Sequence, residues 1–107
     1  MSEERDLGPQ PLISVMESWR LENHDLVEAS PEQLTHKQVM RARSGRRLTL
    51  AMMMKVSRAL NIAIWNRLKP EARERFNEYS HKNLFSYAKG FEASKADPNA
   101  DMLTGLD

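Results

Sequence analysis

The chain has 107 residues, of which 40% are hydrophobic, enough for one domain with a single small core. It has no cysteine, which excludes disulfides and thiolate metal sites, and its three histidines lie too far apart in sequence for a metal-binding motif. No apolar run could span a bilayer and the N-terminus lacks a signal-peptide core, so we expect a cytoplasmic protein without metal or cofactor.

The charges are segregated along the chain, although the formal net charge is only +1. Residues 33–70 contain nine lysines and arginines and no acidic residue, whereas the rest of the chain is net acidic. These cations are Lys37, Arg41, Arg43, Arg46, Arg47, Lys55, Arg58, Arg67 and Lys69. Such segregation is typical of a surface that binds a polyanion.

The first predicted elements are a polar arm and two short helices. Residues 1–10 are predicted to be a mobile N-terminal arm. Apolar residues at helical spacing predict a first helix at 11–22, and a second short helix is predicted at 23–29. The second helix should stop before Pro31, because proline disfavours helical geometry in the residue that precedes it.

Two further helices are predicted within the basic segment. Thr35 is a suitable N-cap for a helix at 36–43, and Gly45 can end that helix in the left-handed conformation. Thr49 should cap the next helix, which we expect to end at Asn61. The predicted buried residues of these two helices are Val39, Ala42, Leu50, Met53, Val56 and Leu60.

The last third of the chain carries an apolar stripe at helical spacing. It runs from Ala72 to Phe91 and predicts one or two C-terminal helices at 70–93, which either pack on the domain or form a dimer interface. Residues 94–107 are predicted to be a disordered tail. Because no strand-like alternation occurs, we expect an all-α fold, a compact bundle of about five helices, with a helix-turn-helix domain at 11–69.

An ordered series of residues in the basic segment matches a known pattern. The residues that carry it are Leu34, Thr35, Val39, Gly45, Arg46, Arg47 and the triplet Ala59-Leu60-Asn61. This series resembles the lambda-repressor-like (Cro/XRE) helix-turn-helix family, over residues 21–61. The chain differs from the family in three extra turn residues at 31–33 and in Ala42, where a larger apolar residue is common.

The resemblance implies binding to double-stranded DNA, with helix 36–43 inserted in the major groove. Four residues on the face opposite Val39 match the family's base-reading positions: His36, Lys37, Met40 and Arg41. Phosphate contacts are expected from Thr35, Arg43, Arg46, Arg47 and Thr49. The implied role is that of a small transcriptional regulator, and a homodimer through 70–93 would match palindromic sites.

Two other binding functions compete with this interpretation. The same fold could serve as a protein-interaction module, adaptor or antitoxin-like, without reading DNA, and an exposed patch of Leu84, Phe85 and Phe91 would favour it. RNA binding ranks last, because residues 33–64 contain no aromatic side chain on which a base could stack.

Catalysis is not expected from this sequence. Glu71, Glu74 and Glu78 have the spacing of one helix face, but no histidine or basic residue is placed to act with them. A solvated helix face explains these carboxylates better. The sequence also has no glycine-rich phosphate loop.

Overall fold

Seven α-helices and no strand occur in residues 7–103, the part of the chain that the computed structural model describes. The helices are α1 (Pro11–Ser18), α2 (Asn23–Ala29), α3 (His36–Ser44), α4 (Leu50–Arg67), α5 (Pro70–Arg73), α6 (His81–Leu84) and α7 (Ala100–Leu103). α4 packs against α2, α3 and α6, while α1 packs against α3 and α6. The all-α prediction is confirmed, with four longer helices and three of only four residues.

α1 ends earlier than the predicted helix at 11–22. Arg20 adopts a left-handed conformation with φ 58°, which helical geometry does not accommodate. The Leu21 amide then donates to the Met16 carbonyl at 2.8 Å, closing a tight turn. This turn buries both Trp19 and Leu21 in the core.

α2 and α3 have the predicted local signals. α2 spans Asn23–Ala29 as predicted. The Thr35 hydroxyl accepts from the Gln38 amide at 3.1 Å, and the Gln38 side chain accepts from the Thr35 amide at 3.0 Å. Gly45 ends α3 with φ 101°, which confirms its predicted left-handed conformation. A turn that buries Leu34 joins the two helices.

α4 is longer than predicted and its first residue faces outward. Thr49 caps it as predicted, accepting from the Met52 amide at 3.1 Å. Leu50, expected in the core, is 55% exposed. The helix does not stop at Asn61, because that side chain instead pairs with the Tyr79 backbone, donating to its carbonyl at 2.9 Å and accepting from its amide at 2.8 Å.

The segment after Pro70 folds back on the core and does not form the long helical stripe that its spacing suggested. Ser80 caps α6, which breaks any continuous helix, and Phe85 after it is extended. The Trp19 indole donates to the Tyr79 hydroxyl at 2.9 Å. Burial raises the pKa of Tyr79, since the charged phenolate would be poorly solvated there.

These contacts also change the basis of the predicted homodimer. Leu84 and Phe85 are fully buried within the chain, and Tyr79 is only 2% exposed. The homodimer through 70–93 stays a prediction, but of the residues that motivated it Leu84 lies inside the core, and Phe76, Tyr87 and Phe91 are half-buried. The described residues contain no helix of the length and hydropathy that a bilayer span requires.

A few residues of the predicted arm and tail make contacts with the core. The Asp97 carboxylate accepts from the Tyr79 hydroxyl at 2.7 Å, and the buried Asn99 side chain exchanges two hydrogen bonds with the Asn77 backbone. Buried Gln10 accepts from the Ser86 amide at 2.7 Å. Local composition did not reveal these distant partners. The ends of the predicted arm and tail, 1–6 and 104–107, lie outside the described residues.

Candidate nucleic-acid interface

The outward face of α3 brings together the four predicted base-reading residues. His36, Lys37, Met40 and Arg41 are all exposed, with Met40 at 59%. Val39 and Ala42 on the opposite face are fully buried. Because residues three or four apart share a helix face, the four side chains form one stripe, which is polar or cationic except at Met40.

Two cations of the basic segment are neutralised on α4. Arg58 donates to the Glu32 carboxylate at 2.7 Å, and this hydrogen bond lowers the pKa of Glu32. Arg67 lies 3.1 Å from the Asp25 carboxylate. Partial burial raises the pKa of Asp25, but the Glu22 amide and the Arg67 charge together hold that pKa below its usual value.

The cations of α3 and of the loop that follows have no such partner. Within residues 7–103, no carboxylate lies at salt-bridge distance from Lys37, Arg41, Arg46 or Arg47. Four cations of the basic segment without a carboxylate partner in the described residues therefore lie together on α3 and on residues 45–49, which we call the α3–α4 loop. An uncompensated cluster of this kind attracts a polyanion most strongly.

The α3–α4 loop starts with a tightly constrained glycine. The amides of Gly45 and Arg46 both donate to the Arg41 carbonyl, so the loop turns sharply away from α3. A Cβ atom on Gly45 would lie 1.9 Å from the Gly8 carbonyl oxygen, and the Leu7 amide donates to the Gly45 carbonyl at 2.8 Å. The chain before α1 thus fixes the place where the loop begins.

The residues predicted to contact phosphate differ in their exposure and in their hydrogen-bond partners. Thr35 and Thr49 are exposed, and each hydroxyl accepts a capping bond from a helix amide. Arg46 and Arg47 are exposed. Arg43 is half-buried and donates to the Asn23 side chain at 2.8 Å, a neutral partner that occupies part of its guanidinium but leaves its charge in place.

Sequence reasoning missed one residue at this site, Tyr87. Its hydroxyl accepts from the Leu48 amide at 3.0 Å and donates to the Arg46 carbonyl at 3.2 Å. The Arg47 guanidinium lies 5.1 Å above the centre of its ring. The helical spacing of Tyr87 indicated a C-terminal helix, and no local signal in the sequence points to a contact about 40 residues away.

Other parts of the surface are less organised for binding. A cavity of about 740 Å³ lies between α1 and residues 78–98, but its side chains of both charge signs are mostly exposed. No group of three or more histidines, aspartates and glutamates within residues 7–103 could hold a metal ion.

Comparisons with protein-family models, with curated proteins and with solved structures found no match to this chain.

Proposed function

We propose that this protein binds double-stranded DNA and reads its sequence with α3 in the major groove, as a small transcriptional regulator. One observation carries the proposal: the exposed face of α3 and the α3–α4 loop hold four cations without a carboxylate partner in residues 7–103. Phosphate neutralisation supplies the sequence-independent part of DNA affinity, and such unpaired cations are suited to it.

The dimensions and chemistry of α3 support this role. Nine helical residues extend about 14 Å, which covers roughly four base-pair steps of the groove. Lys37 and Arg41 can donate to guanine, and the apolar Met40 can contact a thymine methyl group. Arg46, Arg47 and the first amides of α4 would then meet the phosphate backbone.

The exposed apolar patch at residues 84–91 that would have favoured a protein-interaction module does not occur. Leu84 and Phe85 are fully buried, so they form no exposed patch with Phe91. The exposed apolar Met40 lies within the cationic stripe of α3, where it suits a base contact as well as a protein contact. DNA binding accounts for both the charge and the shape of this face.

We expect the affinity for duplex DNA to fall steeply with salt. About five phosphate contacts per subunit give a log–log slope of roughly −4.5, or a loss of about 500-fold for a fourfold increase in salt. Fluorescence anisotropy with a labelled duplex measures this slope. The double variant Arg46→Ala/Arg47→Ala should make it shallower by about 1.8, whereas Arg75→Ala, an exposed cation elsewhere, should leave it unchanged. The absence of binding to any duplex at low salt refutes the proposal.

Arg41→Ala and Arg46→Ala should affect binding in different ways. Loss of a base contact from Arg41 should cost about 1–3 kcal/mol on the preferred site and relax the preference at one base pair. Loss of Arg46 should weaken preferred and random duplexes equally. Capture of genomic fragments by the purified protein supplies the preferred site, and competition titrations compare the two variants. If Arg41→Ala weakens all sequences alike, α3 does not read bases through Arg41.

A further inference from the structure

An aromatic residue of the C-terminal segment, Tyr87, binds the backbone of the α3–α4 loop. We propose that Tyr87 is a positioning residue for the DNA-backbone contacts, because its side chain fixes the loop that carries Arg46 and Arg47. The inference rests on the proposed DNA binding and adds a residue that does not itself touch DNA. The C-terminal segment then acts on the interface indirectly, through the α3–α4 loop.

The hydroxyl of Tyr87 holds the loop backbone at two points. It accepts from the Leu48 amide at 3.0 Å and donates to the Arg46 carbonyl at 3.2 Å. These two groups flank Arg47, so the backbone is fixed on both sides of that residue. The donor and acceptor capacities of one phenol are both used in binding a single turn of chain.

The ring of Tyr87 also orients a side chain. The Arg47 guanidinium lies 5.1 Å above the ring centre, within the range of a cation–π interaction. Arg47 remains exposed, so its outer side is open to a phosphate. The ring therefore limits the directions that this guanidinium samples without covering it.

Tyr87 can act in this way because its own position is rigid. The neighbouring Phe85 is fully buried, and its ring centre lies 5.8 Å from that of Tyr87. The amide and hydroxyl of Ser86 both donate to the buried Gln10 side chain, at 2.7 and 3.0 Å. Burial keeps the pKa of Tyr87 above its usual value despite the Leu48 amide and the Arg47 charge, so the phenol stays protonated at neutral pH.

A loop held in this way affects affinity through preorganisation. A mobile loop must be ordered when it meets the phosphate backbone, and that entropy cost reduces the free energy of binding. With Tyr87 in place, the loop is already ordered when the protein folds, so this entropy cost does not reduce the free energy of binding. Removing the hydroxyl should thus weaken all duplexes alike, since phosphate contacts carry no sequence information.

The test substitutes Tyr87→Phe, which keeps the ring and the Arg47 contact but removes both hydrogen bonds. We expect binding roughly five- to tenfold weaker on preferred and random duplexes alike, with the salt slope retained. Amide hydrogen exchange at Leu48 in the free protein should become faster. In Tyr87→Leu, which also removes the ring, the salt slope should become shallower by about 0.9 because Arg47 is no longer directed.

The matched control is Tyr79→Phe, which removes the other phenol hydroxyl, whose partners are Trp19 and Asp97 and not the loop. It should lower the melting temperature without changing the DNA affinity of the folded protein. Wild-type binding together with unchanged affinity in Tyr87→Phe overturns the positioning role alone. If the wild-type protein binds no duplex, the proposed function and the role of Tyr87 in DNA binding are both overturned. If amide hydrogen exchange at Leu48 is unchanged in Tyr87→Phe, Tyr87 does not order the loop.

Discussion

Phe85→Ala should lower the free energy of unfolding by about 3–5 kcal/mol. The side chain is fully buried, next to the equally buried Leu84, in a segment for which the sequence left open both packing on the domain and a dimer interface. Its removal leaves a cavity that the surrounding side chains fill only in part. A loss of this size is a large share of the 5–15 kcal/mol that stabilises a typical domain, so the variant should be partly unfolded near physiological temperature.

Urea denaturation followed by circular dichroism measures the effect. Phe91→Ala is the matched control, because Phe91 is only half-buried and its truncation should cost clearly less. A cost below about 1 kcal/mol for Phe85→Ala contradicts the packing described here. In that case the segment after α5 does not belong to the core, and an intermolecular role for residues 70–93 regains its basis.

Gly45→Ala should lower the free energy of unfolding by about 2–4 kcal/mol. A left-handed conformation costs a residue with a Cβ atom about 1–2 kcal/mol, and Gly45 has φ 101°. The new Cβ would also lie 1.9 Å from the Gly8 carbonyl oxygen, which is backbone and has no rotamer to change. The chain around Gly8 must move, and the bond from the Leu7 amide to the Gly45 carbonyl is then lost.

Gly90→Ala separates the cost of the left-handed conformation from the cost of the contact with Gly8. Gly90 has a similar φ of 94°, but its Cβ would meet only the flexible Lys82 side chain, at 3.0 Å. Chemical denaturation of both variants gives the difference, which we expect to be at least 1 kcal/mol. Equal losses in the two variants show that the contact with Gly8 contributes nothing. DNA affinity should fall only in Gly45→Ala, since only that change displaces the α3–α4 loop.

The parts of the fold that were predictable are those fixed by neighbouring residues. The α2 helix, the Thr35 and Thr49 caps and the Gly45 stop depend on hydrogen bonds and conformations within a few positions. The exposed face of α3 follows from the same helical period. These signals are local, so one sequence contains them in full.

The parts that were missed depend on partners distant in sequence. α4 continues past Asn61 because that side chain binds the backbone of Tyr79, 18 residues later. The helical spacing of the aromatic residues after Pro70 left open whether they pack on the domain or on a second copy, and contacts with Trp19 and with α4 place them. Asp97 and Asn99 order a stretch whose composition indicates a loop. Periodicity carries no information on such pairs.

The α3–α4 loop is hydrogen-bonded by residues far apart in sequence, Leu7 before α1 and Tyr87 after α6. A growing polypeptide cannot form both sets of hydrogen bonds until residue 87 has been added, although α3 and α4 are synthesised earlier. Because non-local contacts form only after the intervening chain has closed, the loop of the proposed DNA interface should become ordered only once residues 7 and 87 have both packed against it.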